Sequence, residues 1–243
     1  MQDLESENKK LKEMLDFKSD LISMMAHQLR TSLSASKWVL KMFMDEDLGH
    51  ITDEQKIFLK KSYDNNEKMI DLVSEMIDIN KEEGTEIIYD FKDHDVVEII
   101  DQTIEDFTGE AKERKVTLNF TKPREIIINC DSSKIRTALQ GLLENSIKYN
   151  KEKGSVFVSV EEELGNVVIS IRDTGIGISQ DEQAQIFNKF FRSISAKKKE
   201  NIGSGLGLFA VKTIVEKHGG KIWFESKENQ GSTFHISLPI SKS

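Results

Sequence analysis

Four short stretches carry residue types that could do chemistry together. Asp173-Thr174-Gly175-Ile176-Gly177-Ile178 follows an apolar run, so its carboxylate would stand at the end of a strand. There it can accept a hydrogen bond from an exocyclic amine such as that of adenine, and Gly175 and Gly177 let the backbone turn tightly and approach a ring. Gly203-Ser204-Gly205-Leu206-Gly207-Leu208 runs into a helical pattern. Backbone amides at a helix start form a cradle for phosphates. In Asn145-Ser146-Ile147-Lys148-Tyr149, the Asn145 amide oxygen suits a hard cation and Lys148 offers charge to a phosphate. In the fourth stretch, Met24 to Leu33, Leu21, Met25, Leu29 and Leu33 recur every four residues and line one side of a helix. His27 falls off that stripe, on a face shared with Asp20, Met24, Arg30, Thr31 and Ser34, where its imidazole meets solvent. Each stretch alone has a plainer reading: a hairpin turn, a flexible loop, a polar helix face, a surface histidine. No Walker lysine follows the glycines, and no acid is placed to hold a dinucleotide ribose.

The elements that must position these residues fall into two groups. Residues 1 to about 48 read as one helix, with Leu4, Leu11, Met14, Leu21 and Met25 near heptad spacing, broken by Lys18. Asp45 to His50 interrupts it. Thr52-Asp53-Glu54-Gln55 reads as a capping box for a second helix bearing Phe58, Met69, Leu72, Val73, Met76 and Ile77, which ends near Gly84. One hairpin buries only two stripes, so two hairpins in a homodimeric four-helix bundle are the natural completion. Beyond Gly84 the period changes. Strands are expected at Ile87–Phe91, Val116–Phe120, Glu125–Cys130, Val156–Val160, Val167–Ile171, Lys221–Ser226 and Thr233–Leu238. Helices are expected from Asp95 to about Lys112, after an Asp131 cap, and from Leu206 to Lys217. That mixture predicts an α+β sandwich, a mixed sheet with helices on one face. The expected domains are a coiled-coil lead-in helix over 1–18, a helical domain over 19–84 and an α+β domain over 85–243.

Composition narrows the function classes. A net charge of −8 argues against a nucleic-acid surface. The single cysteine, Cys130, lies in a strand-like run, reads as a buried thiol and rules out an intrachain disulfide. No apolar run reaches membrane-spanning length. A chain that is helical from its first residues suggests an upstream sensor part.

In order, N-x-x-K-Y, D-x-G-x-G, F-x-x-F-x-R (Phe187, Phe190, Arg192) and G-x-G-L-G-L resemble the ATP-binding domain of sensor histidine kinases. His27-Gln28-Leu29-Arg30-Thr31 resembles the phosphoacceptor box of their dimerisation domain, usually H-E-L-R-T-P-L. The resemblance covers essentially the whole chain. It implies ATP and Mg²⁺ as cofactors, and transfer of the γ-phosphoryl group to His27 and then to an aspartate on the receiver domain of a response regulator. It implies that Asp173 takes the adenine amino group with help from Thr233. Asn145 would be the Mg²⁺ ligand. Lys148, Tyr149, Gly175, Gly177, Gly203, Gly205, Leu206 and Gly207 would contact nucleotide. Catalytic roles fall to His27, Gln28, Thr31, Lys148 and Arg192. Residues 179–204 would form a mobile lid with Lys197–Lys199 solvated, and a hinge near 81–86 would bring the ATP domain to the bundle. The expected location is cytoplasmic, as the core of a longer parent whose membrane anchoring is left open.

Three positions depart from the family pattern: Gln28 replaces an acid, Ser32 a helix-kinking proline and Gly141 an asparagine. Gln28 and Gly141 give a second reading, a signalling scaffold that binds ATP weakly. Thr31 keeps the position that in the family serves to dephosphorylate the regulator; helix back-bonding is its plainer role.

Overall fold

The computed structural model describes residues 2–84, 89–200 and 203–240, with side chains from 21 onward apart from 23, 68, 71–72 and 75–84. The chain divides into two compact units, residues 1–88 and 89–243.

The first unit is a helical hairpin of α1 (Gln2–Met44) and α2 (Asp53–Gly84). Thr52 and Gln55 form the expected capping box: the Thr52 amide donates to Gln55 Oε1 at 2.8 Å, and the Gln55 amide to Thr52 Oγ1 at 3.2 Å. These bonds satisfy amides that a helix start leaves open. The helix stays unbroken through Ser32, whose carbonyl accepts from Ser36 Oγ.

The face α1 turns toward α2 is not the predicted one. Ala26 is buried, Arg30 Nη2 donates to Ser74 Oγ at 2.9 Å, and Lys37 pairs with Glu67 at 2.6 Å. From α2, Asn66 is buried and Leu59, Tyr63, Ile70 and Val73 are half-buried. Leu21, Met25 and Leu29 stay exposed, as do Phe58 and Met69, so the apolar stripe read from the sequence is a second face that the single hairpin leaves open. Leu72, Met76 and Ile77, the heptad residues before 19 and the hinge residues 85 and 86 lie outside the described side chains or residues.

The second unit is an α/β sandwich. Its five-stranded sheet runs β2 (Thr117–Phe120), β4 (Ser155–Glu163), β5 (Asn166–Asp173), β7 (Gly231–Pro239), β6 (Lys221–Lys227). β2 pairs with β4 in parallel and every other pair is antiparallel, which makes the sheet mixed. Alternation places Val156, Val158, Val167, Ile169, Ile171, Phe234, Ile236 and Leu238 on one buried face. Helices α3 (Val96–Glu113), α4 (Ser132–Lys148) and α6 (Gly207–Lys217) cover that face with Ile100, Ile135, Leu139, Leu142, Leu143, Ile147, Ile214 and Val215. Phe157 and Trp223 lie exposed on the other face.

The predicted strand at Ile87–Phe91 is corrected. Residues 87–88 lie outside the described residues, Tyr89 to Phe91 are not strand, and β1 is Lys92–Asp95, paired antiparallel with β3 (Ile127–Cys130) in a separate two-stranded ladder. Tyr89 and Phe91 instead pack on the buried ring of His218 at the end of α6. His218 Nε2 accepts from the amide of Asp131, whose carboxylate caps α4 through the Lys134 amide. Burial holds His218 below its ordinary 6.5 and pushes the Cys130 thiol up to about 11. Among the described residues no helix is long and apolar enough to cross a membrane.

Candidate nucleotide site and phosphoacceptor helix

Asp173 ends β5 on the helix-covered face and is buried. Its Oδ1 accepts from the amides of Gly175 at 2.7 Å and Ser232 at 3.3 Å, while Oδ2 has no partner among the described residues. Burial outweighs those two bonds and raises the carboxyl to about 6. A buried carboxylate with one oxygen fixed and one open is shaped to receive a donor from a ligand.

The loop after Asp173 is fixed from both sides. Thr174 Oγ1 donates to Asn150 Oδ1 at 3.1 Å and accepts from the Ser155 amide at 2.9 Å. The Ile176 amide donates to the Tyr149 carbonyl at 3.1 Å. A Cβ on Gly175 would lie 2.4 Å from that carbonyl, and one on Gly177, at φ +63°, would lie 2.1 Å from the Lys227 carbonyl. Both positions therefore require glycine.

Thr233 does not stand beside Asp173. It pairs with Arg172 in the β5–β7 register and shares that residue's face, opposite to the carboxylate. Ser232 occupies the place assigned to Thr233. The parity of Phe234, Ile236 and Leu238 carried that signal in the sequence.

On α4, Asn145 is half-buried and its side chain makes no hydrogen bond among the described residues. Lys148 Nζ lies 3.8 Å from Glu144 and over the Tyr149 ring at 5.8 Å. Among the described residues no group of three or more His, Cys, Asp or Glu side chains could hold a metal. The residues present suit Mg²⁺ that is held mostly by phosphates, with Asn145 as a single protein ligand, since this ion keeps few protein ligands. Gly141 faces Val211 of α6, and a Cβ there would come within 3.1 Å of Val211 Cγ2. The residue that replaces the family asparagine thus lets α4 and α6 approach closely.

The glycine-rich loop leads into α6 with Leu206 as its cap, and no side chain caps the first turn. Gly205, at φ +70°, lies against the Phe190 and Phe191 backbone, whereas a Cβ on Gly207 would meet open space. Uncapped first-turn amides beside open space are the arrangement that an anion cradle needs.

Arg192 stands beside this loop, with its guanidinium 3.3 Å from where a Cβ on Gly203 would lie. Its donors reach the carbonyls of Ala196 and Glu200 at 3.4 and 2.5 Å, at the end of α5 (Ile194–Lys199), so Arg192 holds a short lid helix together. Lys199 Nζ donates to the Asn150 carbonyl, which corrects the expectation of a fully solvated lysine run. Glu200 pairs with Arg114 at 2.8 Å, and Glu182 holds the other side of the lid through the Ile194 amide at 2.7 Å. These lid ties link residues distant in sequence and carry no local motif. An exposed ion pair is worth about 0.2–1 kcal/mol. Arg114→Glu is therefore expected to speed limited tryptic cleavage at Lys197–Lys199 about two- to fivefold, and Glu200→Arg added to it to restore protection.

In the hairpin, His27 and Gln28 are exposed, and Thr31 Oγ1 donates to the His27 carbonyl at 3.0 Å.

Residues 17–85 match the His Kinase A (phospho-acceptor) domain, and residues 130–242 match the family described as histidine kinase-, DNA gyrase B- and HSP90-like ATPase. The chain belongs to the histidine kinases. Among relatives, the circadian input-output histidine kinase CikA of Synechococcus elongatus is 29% identical over 91% of this chain and 30% of its own length. The crystal structure of full-length ShkA in complex with AMPPNP superposes with a TM-score of 0.72 at 22% identity, over 92% of this chain and 46% of that one. Histidine kinase ThkA in complex with response regulator protein TrrA gives 0.67 at 21%, over 97% and 66%. At these identities the two structures speak to the fold alone. The chain spans 30% to 57% of the length of the curated histidine kinases it matches first. Within the histidine kinase chain, His27 falls in the phosphoacceptor match, and Asn145, Asp173, Gly205 and Ser232 fall in the ATPase match.

Proposed function

We propose that this chain is the cytoplasmic core of a sensor histidine kinase that phosphorylates itself on His27 from ATP and passes the phosphoryl group to an aspartate of a response regulator. Residues 19–84 would be the phosphoacceptor domain and 85–243 the catalytic domain, with 1–18 a coiled-coil lead-in from an upstream sensor part. The observation that carries the reading is the open Oδ2 of buried Asp173 in a domain matching an ATPase family, together with an exposed histidine in a domain matching phosphoacceptors.

Asp173 Oδ2 would accept from the adenine amino group. The amides of Gly205 and Gly207 would hold phosphate oxygens, and that of Leu206 would do so on leaving Ser204 Oγ, to which it donates at 3.0 Å, with Lys148 adding charge. Asn145 would hold Mg²⁺, which supplies charge neutralisation across the phosphates. His27 Nε2 would attack the γ-phosphorus as the bond to the ADP oxygen breaks, forming an N–P bond and releasing ADP. The regulator's aspartate would then take the phosphoryl group, and Thr31 would serve the reverse, dephosphorylating activity. ThkA is crystallised with a response regulator and ShkA with AMPPNP, a partner and a nucleotide analogue of the classes proposed here. The open stripe of Leu21, Met25, Leu29, Phe58 and Met69 supports a second copy of the hairpin as the dimer partner.

The test is incubation with Mg-ATP followed by acid and base treatment. Acid-labile, base-stable phosphate that disappears in His27→Ala, with at least a 100-fold fall in label, is the expected result. No label on the wild type would favour the signalling scaffold, for which Gln28 is the supporting feature. Free phosphate without label would favour an ATPase of the gyrase kind.

A further inference from the structure

Lys197, Lys198 and Lys199 form the last turn of α5, and all three are exposed. Among the described residues only Lys199 has a partner: its Nζ donates to the carbonyl of Asn150, 49 residues earlier in the chain.

That carbonyl is a fixed point. Asn150 follows Tyr149, the C-cap of α4. A helix end presents carbonyls without intrahelical donors and carries partial negative charge, so an ammonium is its complement. Asn150 is 3% exposed and its side chain is bonded at both ends. Its Nδ2 donates to the carbonyls of Ser146 and Ser155 at 3.0 and 3.1 Å, and its Oδ1 accepts from the Lys151 amide at 3.0 Å and Thr174 Oγ1 at 3.1 Å. The preceding carbonyl, of Tyr149, accepts from the Ile176 amide at 3.1 Å. Two successive carbonyls past the end of α4 thus hold the loop after Asp173 and the lid. The other lid ties run elsewhere, from the Ile194 amide to Glu182 and from Glu200 to Arg114 on α3. Lys199 ties the end of α5 to α4, the helix that carries Asn145 and Lys148.

We infer that Lys199 is a positioning residue, a latch that fastens the lid to the end of α4 and so slows the release of bound nucleotide. The inference rests on the nucleotide reading given above. The lid must leave the Asn150 carbonyl before a nucleotide held beneath it departs, and loss of one ammonium–carbonyl hydrogen bond from an exposed side chain raises the open fraction about 3- to 10-fold.

The test compares Lys199→Met with Lys198→Met in the full chain. Each removes one charge from the same exposed turn, and both are expected to melt as the wild type does. Without nucleotide, the amides of Lys197 and Glu200, which donate to the Ser193 and Ala196 carbonyls, report opening of α5 by hydrogen exchange. After correction for intrinsic rates, their exchange is expected to quicken about 3- to 10-fold in Lys199→Met and to stay within about twofold of wild type in Lys198→Met. With Mg²⁺ and a fluorescent N-methylanthraniloyl ADP bound, displacement by excess ADP is expected to show the same pattern. Equal exchange in the two variants overturns the inference. Faster exchange with unchanged release overturns it too, as does faster release with unchanged exchange, which would make Lys199 a direct phosphate contact. Each of these leaves the nucleotide site standing. A wild type that does not bind the labelled ADP overturns the inference and the nucleotide reading together.

Discussion

Asp173→Asn is expected to weaken binding of Mg-ATP at least 100-fold while making the nucleotide-free protein more stable. The two effects share one cause. Burial raises this carboxyl from 3.8 to about 6, so at neutral pH the folded domain holds a charge it would shed at little provocation. The unfolded chain ionises near 3.8 and the folded chain near 6, so between those values the folded state binds more protons. Stability therefore rises as pH falls from about 6 toward 3.8, and the penalty, about 3 kcal/mol, is fully present above 6. Asparagine keeps an oxygen for the Gly175 and Ser232 amides and removes the charge. It also brings an amide hydrogen pair to a buried place, so the net gain is about 1–3 kcal/mol, or roughly 3–8 °C in melting temperature. Binding suffers because the amine of adenine would meet a donor where it needs an acceptor. Calorimetry with Mg-ATP and thermal melts without nucleotide at pH 5 and pH 7.5 check both halves. The wild-type melt should move closer to that of the variant at pH 5. A variant that binds within tenfold of wild type, or melts lower at pH 7.5, would contradict the account.

How much of this was legible in the sequence depends on whether a residue acts through its neighbours or through distant partners. Asp173, Gly175 and Gly177 were readable because a carboxylate after an apolar strand and glycines at crowded turns are local facts. The Asp131 cap and the Thr52–Gln55 box were readable for the same reason. Thr233 was misassigned by one residue although strand parity held the answer; in a strand, one residue is the whole difference between facing the site and facing away. β1 was misplaced because Lys92-Asp93-His94-Asp95 has no apolar alternation, and its pairing partner lies more than thirty residues later. The α1 stripe misled in a more instructive way. Large apolar residues mark the face that needs covering, but the hairpin itself closes over Ala26, Arg30 and Lys37, where small size, a hydrogen bond and an ion pair suffice. The lid ties had no sequence signal, since each depends on what the fold brings near.

Gln28→Glu is expected to raise the initial rate of His27 phosphorylation about 5- to 50-fold with the KM for ATP unchanged. His27 and Gln28 are both exposed in the hairpin, and no described side chain within one turn of His27 on α1 is acidic: Arg30 is turned to Ser74 and Thr31 to the His27 carbonyl. Attack by Nε2 builds positive charge on the ring while Nδ1 keeps its proton. A glutamine oxygen can accept that Nδ1 hydrogen, so the tautomer is served, but it cannot balance the charge. In water a carboxylate about 4 Å away contributes about 1 kcal/mol, which is the lower end of the expected range. Closure of the catalytic domain over the histidine would remove water and enlarge that contribution toward the upper end. The residues proposed to contact ATP lie on another domain, which is why KM should not move. Radiolabelled ATP at saturating concentration, read over the first minutes, measures the ratio. A wild type that is as fast as the variant would mean that Gln28 already does all that an acid could do, and that the charge on the ring is balanced by a group from outside α1.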